Sequence, residues 1–172
     1  MKRFTAVVAA VSLSTVLAAT VTVPAASAAS CRTRWGSLAE HAGTAAGVAG
    51  PQLLGVRAGS HACFDRLVVD LTGGTAGYRV AYVARVLTEG KGDAVPLRGG
   101  ARLQIVVLAP SARGRLPLPV VTGLRTFRQV AYAGSFEGQS TLGLGVRARL
   151  PFRVFTLAGS RPRLVIDVAH VW

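Results

Sequence analysis

RLVVDL at Arg66–Leu71 and RLVIDV at Arg163–Val168 are nearly the same hexapeptide written twice in one short chain. Both are apolar, β-branched runs punctuated by one Arg and one Asp, and both read as β-strands. Alternate side chains of a strand share a face. In the first copy Leu67, Val69 and Leu71 lie on one face, with Arg66, Val68 and Asp70 on the other. The second copy sets Leu164, Ile166 and Val168 against Arg163, Val165 and Asp167 in the same way. Antiparallel pairing with Val68 opposite Val165 puts Arg66 across from Asp167, Asp70 across from Arg163 and Leu67 across from Ile166. Each charge pair then contributes about 0.2–1 kcal/mol, whereas a parallel in-register pairing would set like charges side by side. The expectation is two antiparallel neighbours in one sheet, tied by the structural ion pairs Arg66–Asp167 and Asp70–Arg163.

From Cys63 onward the chain is a series of short runs rich in Val, Leu, Tyr and Phe, broken by Gly and Pro. The spacing predicts strands over Phe64–Leu71, Tyr78–Val86, Arg102–Leu108, Thr126–Tyr132, Glu137–Val146, Phe152–Leu157 and Arg163–His170. Turns are expected at Thr72–Thr75, Ala133–Ser135 and Ala158–Ser160, a Gly-rich loop at Glu89–Asp93, and a long loop over the proline-bearing stretch Pro110–Gly123. About seven strands without βαβ alternation point to an all-β fold, a single β-sandwich or a barrel-like variant, and exclude a Rossmann-type sheet. The preceding stretch from Arg32 to Gly59 is rich in Ala and Gly. Ser37–Ala46 offers a short helix but no strong apolar stripe, so an irregular N-terminal arm over 29–62 is expected.

The chain opens with Lys2 and Arg3, an apolar run, and then small residues ending in Ala26-Ser-Ala28. That order is the pattern of a secretory signal peptide, expected over 1–28 and cleaved. A transmembrane anchor is the rival reading, disfavoured by the small-residue exit. No second apolar run of that length occurs, so no transmembrane span is expected after cleavage. Removing 28 residues, two of them basic, from a chain of 172 with formal charge +13 leaves 144 residues at +11. That is one ordinary domain, large enough for a core without a metal.

Nearly all the basic residues are Arg, and Lys91 is the one lysine beyond Lys2. A composition heavy in Arg, Ala, Gly and Val is that of high-GC bacteria, but it leaves the scarcity of Asp and Glu unexplained. The positive excess is therefore read as a property of the protein. A basic exported protein meets anionic polymers: teichoic acids, peptidoglycan carboxylates or lipid head groups. Export and an aromatic content of 6% count against nucleic acid. Cys31 and Cys63, an even count in an exported chain, point to a disulfide worth about 3–4 kcal/mol in the chain-entropy model. Lipidation of Cys31 is the alternative. It is disfavoured because Ala28 stands where such sites usually carry Leu, and because it leaves Cys63 unpaired.

Several stretches together resemble a known family: His61-Ala-Cys-Phe-Asp-Arg66, Gly77-Tyr-Arg-Val80 with Tyr82-Val83, Ser135-Phe-Glu-Gly138, Pro151-Phe-Arg-Val154, and Arg163 through His170. Their order is similar to that of the AMIN-like domain of exported proteins and lipoproteins from high-GC Gram-positive bacteria. The resemblance runs from Cys63 to the C-terminus and implies a small β-sandwich over 63–172. It also implies peptidoglycan binding and placement in the envelope. No amidase or secretion-channel sequence accompanies it here, so the resemblance does not name a target.

His61, Asp65 and Glu137 invite an acid–base reading, but the chain has no H-E-x-x-H, no G-x-S-x-G and only three His. Catalysis is not expected. Asp65-Arg66 reads more simply as a strand-entry ion pair, and Glu137 as an acceptor for turn amides or a partner for an Arg. His61 and His170 come near one another if the hexapeptides pair, yet two His are a weak basis for a metal, and no metal or cofactor is expected. Gly73-Gly74 and Gly99-Gly100 lack the helix and Lys-Ser/Thr of a phosphate loop and read as hairpin turns. The stretch Gly143-Leu-Gly-Val-Arg-Ala-Arg149 has two readings. The favoured one is a strand with one solvated face, its arginines protecting an edge. The other is a row of Arg147, Arg149 and Arg153, extended by Arg125 and Arg128, that grips anionic groups bidentately beside a shallow Gly-rich face open to a glycan. With Glu137 these are the candidate ligand-binding residues. The expected function is non-catalytic binding of peptidoglycan or an anionic wall polymer by a secreted or wall-associated protein. The alternative is a protein-binding or inhibitory module for a secreted or wall-synthesis partner.

Overall fold

The computed structural model describes residues 31–44, 47 and 50–172, so the expected signal peptide lies outside the described residues. Every regular element among them is a strand: β1 Glu40–Ala42, β2 Gln52–Ser60, β3 Phe64–Thr72, β4 Tyr78–Val83, β5 Val86–Leu87, β6 Ala94–Val95, β7 Ala101–Val107, β8 Phe127–Phe136, β9 Gln139–Val146, β10 Phe152–Leu157 and β11 Arg163–Ala169. They form a five-stranded sheet in the order β1-β4-β7-β9-β8, a four-stranded sheet in the order β10-β11-β3-β2, and the small β5–β6 pair. The two large sheets share one core. Leu67, Val69, Leu164 and Ile166 from one sheet and Leu103, Ile105, Leu142 and Leu144 from the other are fully buried in it. The all-β sandwich expected from the sequence is what the chain forms.

The duplicated hexapeptides are neighbours in the register that charge pairing demands. β3 and β11 run antiparallel with Val165 opposite Val68, Ile166 opposite Leu67, Asp167 opposite Arg66 and Arg163 opposite Asp70. The expected ion pair Arg66–Asp167 forms and is bidentate, at 2.7 and 2.9 Å. The second expected pair does not form. Asp70 lies opposite Arg163, but its carboxylate is held by Arg57 of β2, also bidentately at 2.7 Å. β3 has a neighbour on each side, and the diagonal arginine from β2 takes the acid first.

The Ala- and Gly-rich stretch expected to be an irregular arm supplies β1 and β2 instead. Its low intrinsic strand propensity is overridden by pairing: β2 lies along β3 from Gln52 to Ser60 with a bulge at Leu53/Gly55. The turn expected at Ala133–Ser135 is not a turn. β8 continues to Phe136, with a register irregularity between Tyr132 and Gly134. The hairpin turn is Glu137-Gly138, with φ of 46° and 80°, the positive values a two-residue turn requires. The strand expected from Tyr78 to Val86 ends at Val83, and Val86–Leu87 pairs with Ala94–Val95. Gly73-Gly74 joins strands of different sheets rather than closing a hairpin, and Gly99-Gly100 joins β6 to β7, which are not paired.

Cys31 and Cys63 form the expected disulfide, with Cα atoms 5.0 Å apart, anchoring the N-terminal segment to the start of β3. That segment then covers the open edge of β10. Gly36 O accepts from Phe152 N at 2.8 Å, and the Glu40 carboxylate accepts from Val154 N at 2.9 Å. Because Glu40 also belongs to β1, it ties the two sheets together. Burial pushes its carboxyl above the usual range, opposed by the Val154 hydrogen bond.

Candidate functional site

The outer faces of the two sheets differ. On the five-stranded sheet, Gly143 and Gly145 of β9 do not leave an open surface. A Cβ on Gly145 would lie 2.0 Å from Arg98 O, and one on Gly143 would lie 2.7 Å from the Leu97 side chain. The glycines are bare because the protein's own chain lies on them. Val86, Leu97 and Ala133 form a small second core there. The expectation of a Gly-rich face shaped for a glycan is corrected accordingly.

On the four-stranded sheet the outer face is open. Gly55 and Gly59 of β2 have nothing within 4 Å of a Cβ position. Strand alternation sends Arg153 and Phe155 of β10, Arg163, Val165 and Asp167 of β11, Phe64, Arg66, Val68 and Asp70 of β3, and Arg57 of β2 to this side. Asp167 is the centre of one half. It is fully buried and receives Arg66 from one neighbouring strand at 2.7 Å and Arg153 from the other at 2.8 Å. Its hydrogen bonds hold the Arg66 guanidinium above its ordinary range against the opposing effect of burial, and Asp70 does the same for Arg57. The two guanidinia stand among half-buried rings. Arg153 lies 4.4 Å from the Trp35 ring centre and 5.2 Å from that of Phe155, and Arg66 lies 5.2 Å from that of Phe64. Trp35 meets Phe64 edge-on at 5.5 Å, and His61 stacks on Phe64 at 4.5 Å. Such cation–π contacts contribute about 0.5–1 kcal/mol each at exposed sites.

The other half of the face is a groove of about 540 Å³ between Leu54, Arg57, Asp70, Leu71, Arg161 and Arg163. Arg161 is exposed and Arg163 half-buried, and neither forms an ion pair with a described residue. The Nε of Arg163 is buried without a hydrogen-bond partner among the described residues. Across the whole face five arginines (Arg57, Arg66, Arg153, Arg161 and Arg163) stand against two aspartates, Asp70 and Asp167. A surface of ring faces, small residues and guanidinia can take sugar C–H faces and carboxylate or phosphate oxygens together.

Of the arginines proposed from the sequence to bind ligand, Arg153 is the one that stands in this cluster. Arg149 lies over the Tyr82 ring at 5.2 Å and donates to Ser37 O at 3.0 Å. Arg147 donates to His170 O. Arg128 folds back onto the carbonyls of Leu124, Arg125 and Phe127, and Arg125 is exposed on that loop. Glu137 is exposed at the tip of the β8–β9 hairpin and makes no ion pair or hydrogen bond with the described residues. Trp35 and Arg57 went unread because they lie in the stretch taken as irregular. One signal for the cluster was present: Phe64/Arg66 and Arg153/Phe155 are i, i+2 pairs, so each pair shares one strand face.

Asp65 and Arg66 do not pair, because successive strand residues point to opposite faces. Asp65 faces the core. Its Oδ1 is 3.0 Å from His170 Nε2, and its Oδ2 accepts the backbone N–H groups of Thr126 at 2.6 Å and Phe127 at 3.1 Å. Burial alone would raise this carboxyl; the bonds from His170, Thr126 and Phe127 outweigh it and hold the group below the usual range. Asp65 and His170 are 0% and 2% exposed, so this pair ties β3, β8 and the end of β11 together inside the protein. His61, by contrast, is outside, on Phe64.

A family model for the AMIN-like domain matches residues 51–170, which spans β2 through β11. The chain belongs to the AMIN-like family. Comparison with the curated proteins and with the solved structures returned no match. AMIN-like domains are linked to the cell envelope, and the Cys31–Cys63 disulfide is consistent with an envelope or extracellular location. No helix among the described residues is long and apolar enough to cross a membrane. Among those residues there is also no group of three or more His, Cys, Asp or Glu placed to hold a metal.

Proposed function

We propose that this AMIN-like domain is a non-catalytic binding module of the cell envelope. Its ligand is peptidoglycan or an anionic wall polymer, held on the outer face of the four-stranded sheet. One observation carries the reading: five arginines, Arg57 and Arg161 exposed and Arg66, Arg153 and Arg163 half-buried, stand with three half-buried aromatic rings, Trp35, Phe64 and Phe155, on the outer face of the four-stranded sheet, where none of the described residues lies on Gly55 or Gly59. Sugars pack their C–H faces on rings, and guanidinia pair with carboxylates and phosphates bidentately. Of the residues that invite an acid–base reading, Asp65 is bound to His170 and two backbone amides, His61 stacks on Phe64, and Glu137 stands apart at the tip of the β8–β9 hairpin.

The test is co-sedimentation of the protein with purified cell walls, with and without teichoic acid, at low and high salt. Retention on stripped walls at high salt supports recognition of peptidoglycan. Binding that disappears with salt or with teichoic acid removal assigns the interaction to net charge. No binding under any condition ends the wall-binding reading. A defined protein recovered by crosslinking would then replace it with a protein-binding module.

A further inference from the structure

Arg163 differs from the other arginines of the open face. Arg57, Arg66 and Arg153 each donate Nε to an aspartate. Arg163 lies opposite Asp70 in register, yet Arg57 has taken that carboxylate, and the Arg163 Nε is left buried with no acceptor among the described residues. A buried donor without an acceptor is costly, and native proteins keep few of them. Here it borders the groove that also contains Arg161 and the apolar side chain of Leu54. Leu54 is 40% exposed, an uncovered apolar wall beside two unpaired guanidinia. The Asp70 carboxylate, although paired with Arg57, is 31% exposed and keeps lone pairs free for an N–H donor.

We propose that this groove binds the free C-terminal carboxylate of a peptide whose last side chain is small and apolar. The carboxylate completes the donor set of Arg163 and Arg161 in the bidentate manner that Asp70 and Asp167 provide for Arg57 and Arg66. The last side chain lies against Leu54, and the last amide N–H faces Asp70. Resting on the wall-binding reading, the inference identifies the source of this group as the peptide stem of peptidoglycan.

The test is titration of the full, disulfide-bonded protein with N-acetyl-D-alanyl-D-alanine, its C-terminal amide and inorganic phosphate, followed by amide chemical shifts or calorimetry. The acid is expected to bind with shifts confined to β2, the end of β3 and the start of β11, and the amide to bind about tenfold more weakly or not at all. Arg163→Met and Arg161→Met should each weaken the acid by about tenfold, while Arg149→Met leaves it unchanged. Because neither Arg163 nor Arg161 holds an ion pair with a described residue, both variants should unfold at the wild-type temperature, which is checked in parallel. Equal binding of acid and amide, or phosphate binding as tightly as the acid, overturns the carboxylate assignment. Failure here with wall sedimentation intact refutes the groove's role alone. Loss of wall sedimentation in the wild-type protein refutes the wider reading, whatever the dipeptide does.

Discussion

The two sheets of this sandwich treat their outer faces in opposite ways. β9 carries Gly143 and Gly145 so that Leu97 and Arg98 can lie directly on the five-stranded sheet, and the β5–β6 pair adds a second small core there. β2 carries Gly55 and Gly59 with nothing above them, in front of a row of arginines and aromatic rings. The same residue type thus marks a surface closed by the protein's own chain in one sheet and a surface left free in the other. A bare strand is evidence that something approaches closely, but not of what approaches.

The sharpest way to collapse both faces is to cut the tie beneath them. Asp65→Ala removes the acceptor for His170 and for two backbone amides in the interior. Breaking a buried pair in this way should cost about 3–5 kcal/mol, read as a fall in the urea midpoint. The same group sets an acid limit. Its carboxyl is held below its ordinary value of 3.8, so its stabilising contribution is complete above that value and is lost as pH falls through the folded one. Glu40, raised by burial, acts in the opposite sense, since protonation relieves the cost of its buried charge. Stability of the wild type should therefore drop as pH falls below 3.8, and Asp65→Asn should flatten that part of the profile.

The glycines test the comparison directly. Gly145→Ala places a Cβ against the Arg98 carbonyl and should cost about 2–3 kcal/mol, since backbone must move to admit it. On the open face, Asp167→Ala strands Arg66 and Arg153. The expected cost is about 2 kcal/mol, below that of a fully enclosed pair because both guanidinia reach solvent. Gly59→Ala has no neighbour to meet and no positive φ, so it should be neutral or stabilising by up to about 1 kcal/mol. If Gly145→Ala and Gly59→Ala cost the same in chemical denaturation, the distinction between the closed and open faces is wrong.

How far these features could be read from the residues follows from the same physics. The β3–β11 register was legible because only one antiparallel alignment of RLVVDL and RLVIDV sets opposite charges together. What the hexapeptides could not reveal was the second neighbour that each central strand has. Asp167 is shared by Arg153 and Arg66, and Asp70 goes to Arg57 on β2, whose Gly55, Ala58 and Gly59 hid it as a strand. The row Arg147, Arg149 and Arg153 runs across the turn at Pro151. β9 ends at Val146 and β10 begins at Phe152 in the other sheet, so the three side chains are held by different partners. Tyr82 helps fix that corner: its hydroxyl donates to Leu150 O at 2.8 Å, and burial raises its pKa.

The most direct test of the central claim compares two triple variants of equal charge change in wall co-sedimentation at physiological salt. One replaces Arg57, Arg161 and Arg163 with Gln on the open face. The other replaces Arg85, Arg102 and Arg149 with Gln; these line adjoining pockets at the end of β4 and the start of β7. The account predicts that the first variant leaves the wall pellet while the second stays in it. Equal loss from both would mean that net charge alone holds the protein to the wall and that the open face is not a site.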